Sequence, residues 1–248
     1  LMGNNLSIGS WITLAHFSIA EIMAKAGFDW LCIDLEHSVI DYYEAEQLIA
    51  TIESNGCLPY VRVGANDQNI IKRVLDAGAK GIIVPMINSK EDAKKAVAAA
   101  KYPPTGKRGV GLARAQGYGF GFEEYVGTIN NRVKVIAQVE HHEAIENLDE
   151  ILSVEGVDGT IIGPYDLSGS IGLPGQFDHP DVKKLLNRYE FICKEKSSPT
   201  GFHVVPADYK LVKEKINTGY TFIAFSLDTI FLGTQCRLEM DKLKKYRK

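Results

Sequence analysis

From Arg132 to Gly172 the chain reads RVKVIAQVEHHEAIENLDEILSVEGVDGTIIGPYDLSGSIG. The stretch opens on an apolar, β-branched run, 133–139, that stops at a carboxylate, Glu140. Helix-like spacing follows through Ala144, Ile145, Leu148, Ile151 and Leu152. A second short apolar run, 159–162, ends in Gly163-Pro164-Tyr165-Asp166-Leu167-Ser168. Strand, helix and strand at this spacing form a βαβ unit, whose two strands are parallel and near neighbours. Glu140 and Asp166 then emerge at the same carboxyl edge of one sheet. Two acids that close repel unless a proton or a cation lies between them. A divalent metal held by oxygen ligands satisfies both.

Outward from this unit, strand-like and helix-like segments alternate along the whole chain. Strand signals fall at 10–13, 30–34, 59–63, 81–84, 133–139, 159–162, 201–205 and 222–226. Helix signals follow them at 19–26, 43–53, 70–75, 92–100, 144–152, 182–193, 209–216 and 229–243, with a loop over 174–180. A long glycine-rich excursion, 102–125, interrupts the rhythm, and connections of that length in a compact domain are usually functional or mobile. Eight nearly continuous apolar strands, each followed by an amphipathic helix, predict a TIM (β/α)₈ barrel of the α/β class. No shift in composition marks a boundary, so residues 1–248 are read as one domain. An open doubly wound sheet would want a glycine-rich turn after its first strand, and Thr13-Leu14-Ala15-His16 supplies none.

Composition narrows the function classes. With 248 residues, 45% of them hydrophobic, the chain can bury one large core. A formal net charge of -3, with Lys and Arg scattered, argues against nucleic acid; the basic tail 242–248 reads as a solvated helix end. No apolar run reaches membrane-spanning length, and residues 1–5 are no signal peptide. Cys32, Cys57, Cys193 and Cys236 are far apart and form no C-x-x-C pair, so free thiols in a reducing, cytoplasmic setting are expected.

In a barrel of this kind the residues just past each strand share one face, and that face carries the chemistry. Here it receives Asp34, Glu36 and His37, then Arg62, Gln138 and Glu140, then Asp166, Ser168, His203 and Ser226. Acids at strand-to-helix turns also serve as caps or salt-bridge partners, so spacing alone leaves Glu140 and Asp166 open to either reading. If they bind metal, oxygen ligands suit Mg²⁺ or Mn²⁺ better than Zn²⁺. His37 is either a hydrogen-bonded structural histidine or a general base. Arg62 either neutralises neighbouring acids or binds a substrate oxyanion. His141 and His142 resemble a metal pair, but adjacent residues at a helix start are expected to point apart. A Schiff-base mechanism needs a lysine at the barrel mouth, and Lys134 falls near the amino end of its strand. The loops after the last two strands lack a phosphate grip.

Taken together, 28–37, Val61-Arg62, Tyr102-Pro103-Pro104 through Arg108-Gly109-Val110-Gly111, Gln138-Val139-Glu140 and 163–168 resemble the 2,4-dihydroxyhept-2-ene-1,7-dioate aldolase family. These are metal-dependent (class II) pyruvate aldolases, which include the 2-keto-3-deoxy sugar-acid aldolases. The resemblance runs from about Gly9 to Gly233. It implies that Glu140 and Asp166 hold a divalent ion (Mg²⁺, Mn²⁺ or Co²⁺), and that backbone N–H groups of Gly163 and Tyr165, around Pro164, bind the pyruvate carboxylate. Arg62 looks like the arginine on the keto oxygen, His37 like the base, and Asp34 like its dyad partner. Gln138 joins the substrate contacts. Asp76 would assist from a neighbouring subunit, in a homo-oligomer (trimer or hexamer) with an exchanged C-terminal helix. Three positions depart from the pattern: Tyr165 where small residues are usual, His203 where an aliphatic residue is expected near the pyruvate methyl, and His141 where Thr often follows the Glu.

The implied activity is reversible cleavage of a 4-hydroxy-2-oxo acid to pyruvate and an aldehyde through a stabilised enolate. Oxaloacetate decarboxylation, or another lyase reaction on the same enolate, is the alternative. A barrel that binds metal and pyruvate without turnover is a third reading, and an intact Arg62 and His37 speak against it.

Overall fold

In the computed structural model, residues 5–247 are described. Residues 1–4, on which most of the signal-peptide reading falls, lie outside the described residues. Strands and helices alternate as β1 (Ser7–Ile12), α1 (Phe17–Ala24), β2 (Trp30–Asp34), α2 (Tyr42–Ser54), β3 (Leu58–Arg62), α3 (Gln68–Asp76), β4 (Gly81–Val84) and α4 (Lys90–Ala100). The second half continues with α5 (Phe122–Arg132), β5 (Lys134–Val139), α6 (His142–Glu146), α7 (Leu148–Leu152), β6 (Gly159–Ile162) and α8 (Pro164–Gly169). It ends with α9 (Pro180–Glu195), β7 (Thr200–Val204), α10 (Tyr209–Asn217), β8 (Phe222–Leu227) and α11 (Asp228–Leu243). Polar residues in the loops after the strands start the helices: Asp41, Asp67, Ser89 and Asp208 each accept a first-turn backbone N–H.

The strands pair in parallel in sequence order, and β8 returns to β1, so the sheet closes as the expected (β/α)₈ barrel. Alternate side chains of each strand face the axis. At the amino-terminal end Trp30, Cys32, Tyr60, Ile136, Ile161 and Phe222 belong to one buried interior cluster. Trp30 stacks on Phe222 at 4.4 Å and on Tyr60 at 5.6 Å between ring centroids. Gly9 makes this plug possible, because a Cβ there would stand 2.0 Å from the Trp30 ring. The opposite strand faces, such as Leu31, Ile33, Val61 and Ile82, pack on helix residues such as Ile49, Ile52 and Val74. Each such buried side chain contributes about 1.5–3 kcal/mol.

Two residues beyond the plug, on the same inward positions, stand Asp34, Arg62, Gln138 and His203. The apolar interior thus gives way to a polar mouth at the carboxyl ends, and the register sets Asp34 directly beside Arg62.

Two helices went unread in the sequence. The excursion expected to last to Tyr125 gives way to α5 at Phe122. Among its residues only Ile129 is buried, so the stretch carries almost no apolar periodicity. The short α8 begins at Pro164, in what reads as a strand exit, and places Asp166 in its first turn. The segment 144–152 is broken at Asn147 into α6 and α7. Among the described residues no helix is long and apolar enough to cross a membrane, and all four cysteines are free thiols.

Candidate active site

Arg62 ends β3 with its guanidinium forked onto Asp34, Nε to Oδ1 at 2.9 Å and Nη2 to Oδ2 at 2.6 Å. It also lies 3.3 Å from Glu36 Oε2 and 4.4 Å above the Trp11 ring centroid. Asp34 accepts the backbone N–H groups of Glu36 (3.0 Å) and His37 (3.2 Å) as well. Burial alone would raise its pKa; the Arg62 hydrogen bonds and charge, with those two N–H groups, hold it below the ordinary value. Glu36 is shifted the other way, raised first by burial and further by Glu140 against the pull of Arg62. The Arg62 pKa is raised, since its acidic neighbours outweigh its burial.

The expected Asp34–His37 dyad is not formed through the imidazole. Asp34 is taken up by Arg62, and the His37 ring faces Glu36 instead, with Nε2 3.8 Å from Oε2 and the side chain 67% exposed. Asp34 reaches His37 only at the backbone, because β2 ends at Asp34 and the turn folds back over its carboxylate.

On the β5–β6 side, Glu140 is buried, with Oε1 accepting the Met86 N–H at 2.7 Å and Oε2 accepting the Gln138 amide. Met86 holds a left-handed backbone (φ 52°) just past β4; that turn aims its N–H at Glu140. The Asp166 side chain makes no hydrogen bond among the described residues. A Cβ at Gly163 would lie 3.3 Å from Glu140 Cβ, 3.6 Å from its Oε2 and 3.5 Å from Asp166 Oδ2. The two carboxylates therefore flank one point, and glycine keeps it clear.

The Gly163 N–H, expected to bind a carboxylate, donates instead to the Val139 carbonyl at 3.0 Å, as the last rung between β5 and β6. The backbone N–H groups left at the start of α8 are those of Tyr165 and Asp166, since Pro164 has none and Leu167 closes onto Gly163 O.

Part of this group shares one cavity. Arg62, Gln138, Gly163, Pro164, Tyr165, Asp166 and His203 line a space of about 70 Å³ together with Trp11. Reasoning from the sequence assigns nothing to Trp11 or Met86. The inward parity of β1 was available for Trp11, whereas the Met86 contact depends on a turn no spacing rule describes.

Asp76 does not join this group. It ends α3, at the amino-terminal end of the barrel, and pairs with the buried Arg108 (Oδ1 to Nη2, 2.6 Å). Within one chain it stands away from the mouth. His141 and His142 do not point apart as expected: their rings lie 4.3 Å apart at 35°. His141 caps α6 by accepting the Glu143 N–H at Nδ1, which turns its ring back over its neighbour. With Glu143 the pair forms the one group of three metal-capable side chains found among the described residues. Lys134 opens β5, at its amino end, in an ion pair with Asp158 at 2.8 Å, and the buried Lys101 is bound to the Asn130 and Val133 carbonyls before that strand.

The donor set fits a divalent ion. Glu140 and Asp166 converge at Gly163 with no cationic side chain paired to either among the described residues, Glu36 Oε2 is buried without a hydrogen bond, and every available ligand atom at Gly163 is oxygen.

Comparison with known proteins identifies the family. The HpcH/HpaI aldolase/citrate lyase family model matches residues 7–233. The chain is 38% identical over 225 residues to a hydroxypyruvate/pyruvate aldolase of Roseobacter denitrificans, covering 90% of this chain and 87% of that protein. It is also 38% identical over 250 residues to a 2-keto-3-deoxy-L-rhamnonate aldolase of Klebsiella pneumoniae, covering 98% and 91%. Among solved structures, an HpcH/HpaI aldolase/citrate lyase family protein of Burkholderia cenocepacia superposes with a TM-score of 0.92 at 33% identity, covering 98% and 96% of the two chains. The chain is thus a member of the HpcH/HpaI aldolase/citrate lyase family, a carbon–carbon lyase of the aldolase kind.

Proposed function

We propose that this aldolase depends on a divalent metal (Mg²⁺, Mn²⁺ or Co²⁺) and reversibly cleaves a 4-hydroxy-2-oxo acid to pyruvate and an aldehyde. The observation that carries this reading is the pair Glu140 and Asp166 flanking Gly163, where Gly163 and Asp166 line the cavity that Arg62 also lines. Glu140 and Asp166 would hold the ion. When bound, such an ion supplies Lewis-acid stabilisation of negative charge on the oxo oxygen, worth several kcal/mol.

The chain's own groups do the rest. Arg62 offers a second fixed positive charge to the oxo oxygen, pre-oriented by its fork on Asp34, so little reorganisation is needed as the enolate forms. The Tyr165 and Asp166 N–H groups, with the positive end of α8, receive the carboxylate. Gln138 orients Glu140 through its amide. His37, beside Glu36 at the mouth, takes the proton from the C4 hydroxyl. The C3–C4 bond then breaks, its electron pair passing to the enolate, and C3 is reprotonated to give pyruvate.

We place Asp76 in the site of a neighbouring copy. Leu232, Leu238, Met240 and Leu243 of α11 are exposed, an apolar surface consistent with an exchanged C-terminal helix in a trimer-built oligomer. The partners are small molecules.

The test is an assay on chelator-stripped protein with and without added metal, using a panel of 4-hydroxy-2-oxo acids and detecting pyruvate and aldehyde separately. Metal-dependent release of both in equal amounts supports the aldolase reading. Faster pyruvate release from oxaloacetate than from every hydroxy acid would favour the decarboxylase. Light scattering reports the oligomer.

A further inference from the structure

The start of α6 gathers ligand groups for which the proposed reaction has no use. One ligand atom each from His141, His142 and Glu143 lies within 4.8 Å of the other two, and no other such trio converges among the described residues. The turn that leaves β5 builds this cluster. His141 is extended (φ -130°, ψ 148°) and His142 begins the helix, which brings the two rings to 4.3 Å between centroids. Glu140, the preceding residue, is engaged elsewhere, by the Met86 N–H and the Gln138 amide. The cavity lined by Arg62 and Asp166 does not include the trio.

Each of the three side chains is free to take an ion. A structural histidine is normally held by a hydrogen bond, yet the His142 ring makes none among the described residues; its link to Ser170 is through the backbone N–H. Its Nδ1 is closed to solvent, so Nε2 is the nitrogen it offers. His141 Nδ1 accepts the Glu143 N–H at a long 3.3 Å and lies 3.7 Å from Glu143 Oε2. An ion bound tetrahedrally at about 2.0–2.2 Å holds its ligand atoms about 3.4 Å apart, so that pair needs to close only slightly. The Glu143 side chain is exposed and closes the gap by turning about its own bonds. Water completes the fourth position.

The donor set decides which ion. Imidazole nitrogen suits Zn²⁺, Ni²⁺ and Cu²⁺, whereas Mg²⁺ prefers oxygen and keeps its waters. The Glu143 carboxylate, in the first turn of α6, offsets the positive end of that five-residue helix.

We propose that His141, His142 and Glu143 form a second metal site, which takes a transition ion such as Zn²⁺, Ni²⁺ or Cu²⁺ and is separate from the oxygen ligands Glu140 and Asp166. It does not depend on the aldolase reading.

The test is calorimetric titration of the chelator-stripped full chain with Zn²⁺ in an Asp166→Asn background, which disables the oxygen site, alone and with His141→Asn or His142→Gln added. Asn at 141 keeps an acceptor for the first turn of α6, and a thermal melt checks that each variant folds. Asp166→Asn is expected to bind Zn²⁺ tightly in the presence of excess Mg²⁺. Each added substitution should weaken that binding about a hundredfold, since losing even an outer-shell partner costs about ten- to a hundredfold. Cu²⁺ in the same background should show imidazole-nitrogen coupling by electron paramagnetic resonance. No Zn²⁺ binding in Asp166→Asn, an affinity that either histidine substitution leaves unchanged, or a Cu²⁺ spectrum without nitrogen coupling overturns the proposal. None of these results touches the aldolase reading, which stands or fails on Mg²⁺-dependent turnover by the native protein.

Discussion

The β2–β3 and β5–β6 sides of the barrel mouth each present a pair of carboxylates, and they treat them in opposite ways. At β2–β3, Asp34 and Glu36 have a cation within the chain: Arg62 forks onto the first at 2.6 and 2.9 Å and lies 3.3 Å from the second. At β5–β6, no Lys, Arg or His among the described residues forms an ion pair with Glu140 or Asp166. Glu140 is fixed by the Met86 N–H and the Gln138 amide, which orient it without neutralising it. A side whose charges cancel internally is built to stay as it is. The side with fixed, uncancelled carboxylates is the one we propose takes up a cation from outside, with the positioned arginine on the other.

The contrast can be broken in order of expected effect. Asp166→Asn, or Glu140→Gln, removes a ligand while keeping shape and is expected to lower kcat/KM by about 10³-fold or more in an aldol cleavage assay. Arg62→Lys keeps the charge and loses the fork; a fall in kcat of about 10²–10³-fold is expected, with metal affinity by calorimetry little changed. If instead Arg62→Lys weakened metal binding as much as Asp166→Asn, the division between the two sides would be wrong. Gly163→Ala asks whether the clear point matters. Its backbone, at φ -96°, accepts alanine without strain, so the new methyl acts only through its contacts of 3.3–3.6 Å with the two carboxylates. Metal affinity should fall about tenfold while the melting temperature barely moves.

The smallest effects lie in acid stability. Asp34 has its folded pKa lowered, so its contribution is complete above the ordinary carboxylate range and is lost as pH falls through the lowered value. His203 behaves similarly for a different reason. Neutral and buried, with its pKa moved from 6.5 to about 4, it favours the folded state above pH 6.5 and loses that contribution as pH falls towards 4. Thermal melts from pH 7 to 4 should show a shallower decline for His203→Gln than for the native protein, and a shallower one at still lower pH for Asp34→Asn.

Much of this architecture is written in local patterns. The inward parity of β2, β3, β5 and β7 runs from apolar plug to polar mouth in steps of two residues, so Asp34, Arg62, Gln138 and His203 follow from strand placement alone. The pairing of Glu140 with Asp166 follows from the βαβ spacing. What spacing does not carry is the direction in which a turn sends its side chain or its N–H. That is why Asp34 meets Arg62 rather than the His37 ring, why the Gly163 N–H ends in the ladder, and why the His141 and His142 rings lie 4.3 Å apart. Helix α5 was illegible for a simpler reason: with one buried residue it has almost no apolar face to read. Asp76, held by Arg108 at the far end of the barrel, stands away from the mouth within its own chain.

The central claim is that an external cation, held between Glu140 and Asp166, lets a 2-oxo acid carry negative charge when C3 loses a proton. Proton NMR of pyruvate in D₂O with chelator-stripped protein tests it directly, without any aldehyde. The account predicts no loss of the methyl signal until Mg²⁺, Mn²⁺ or Co²⁺ is added, then steady exchange that Asp166→Asn abolishes. Exchange at the same rate in the stripped protein, or undiminished in Asp166→Asn, would contradict it.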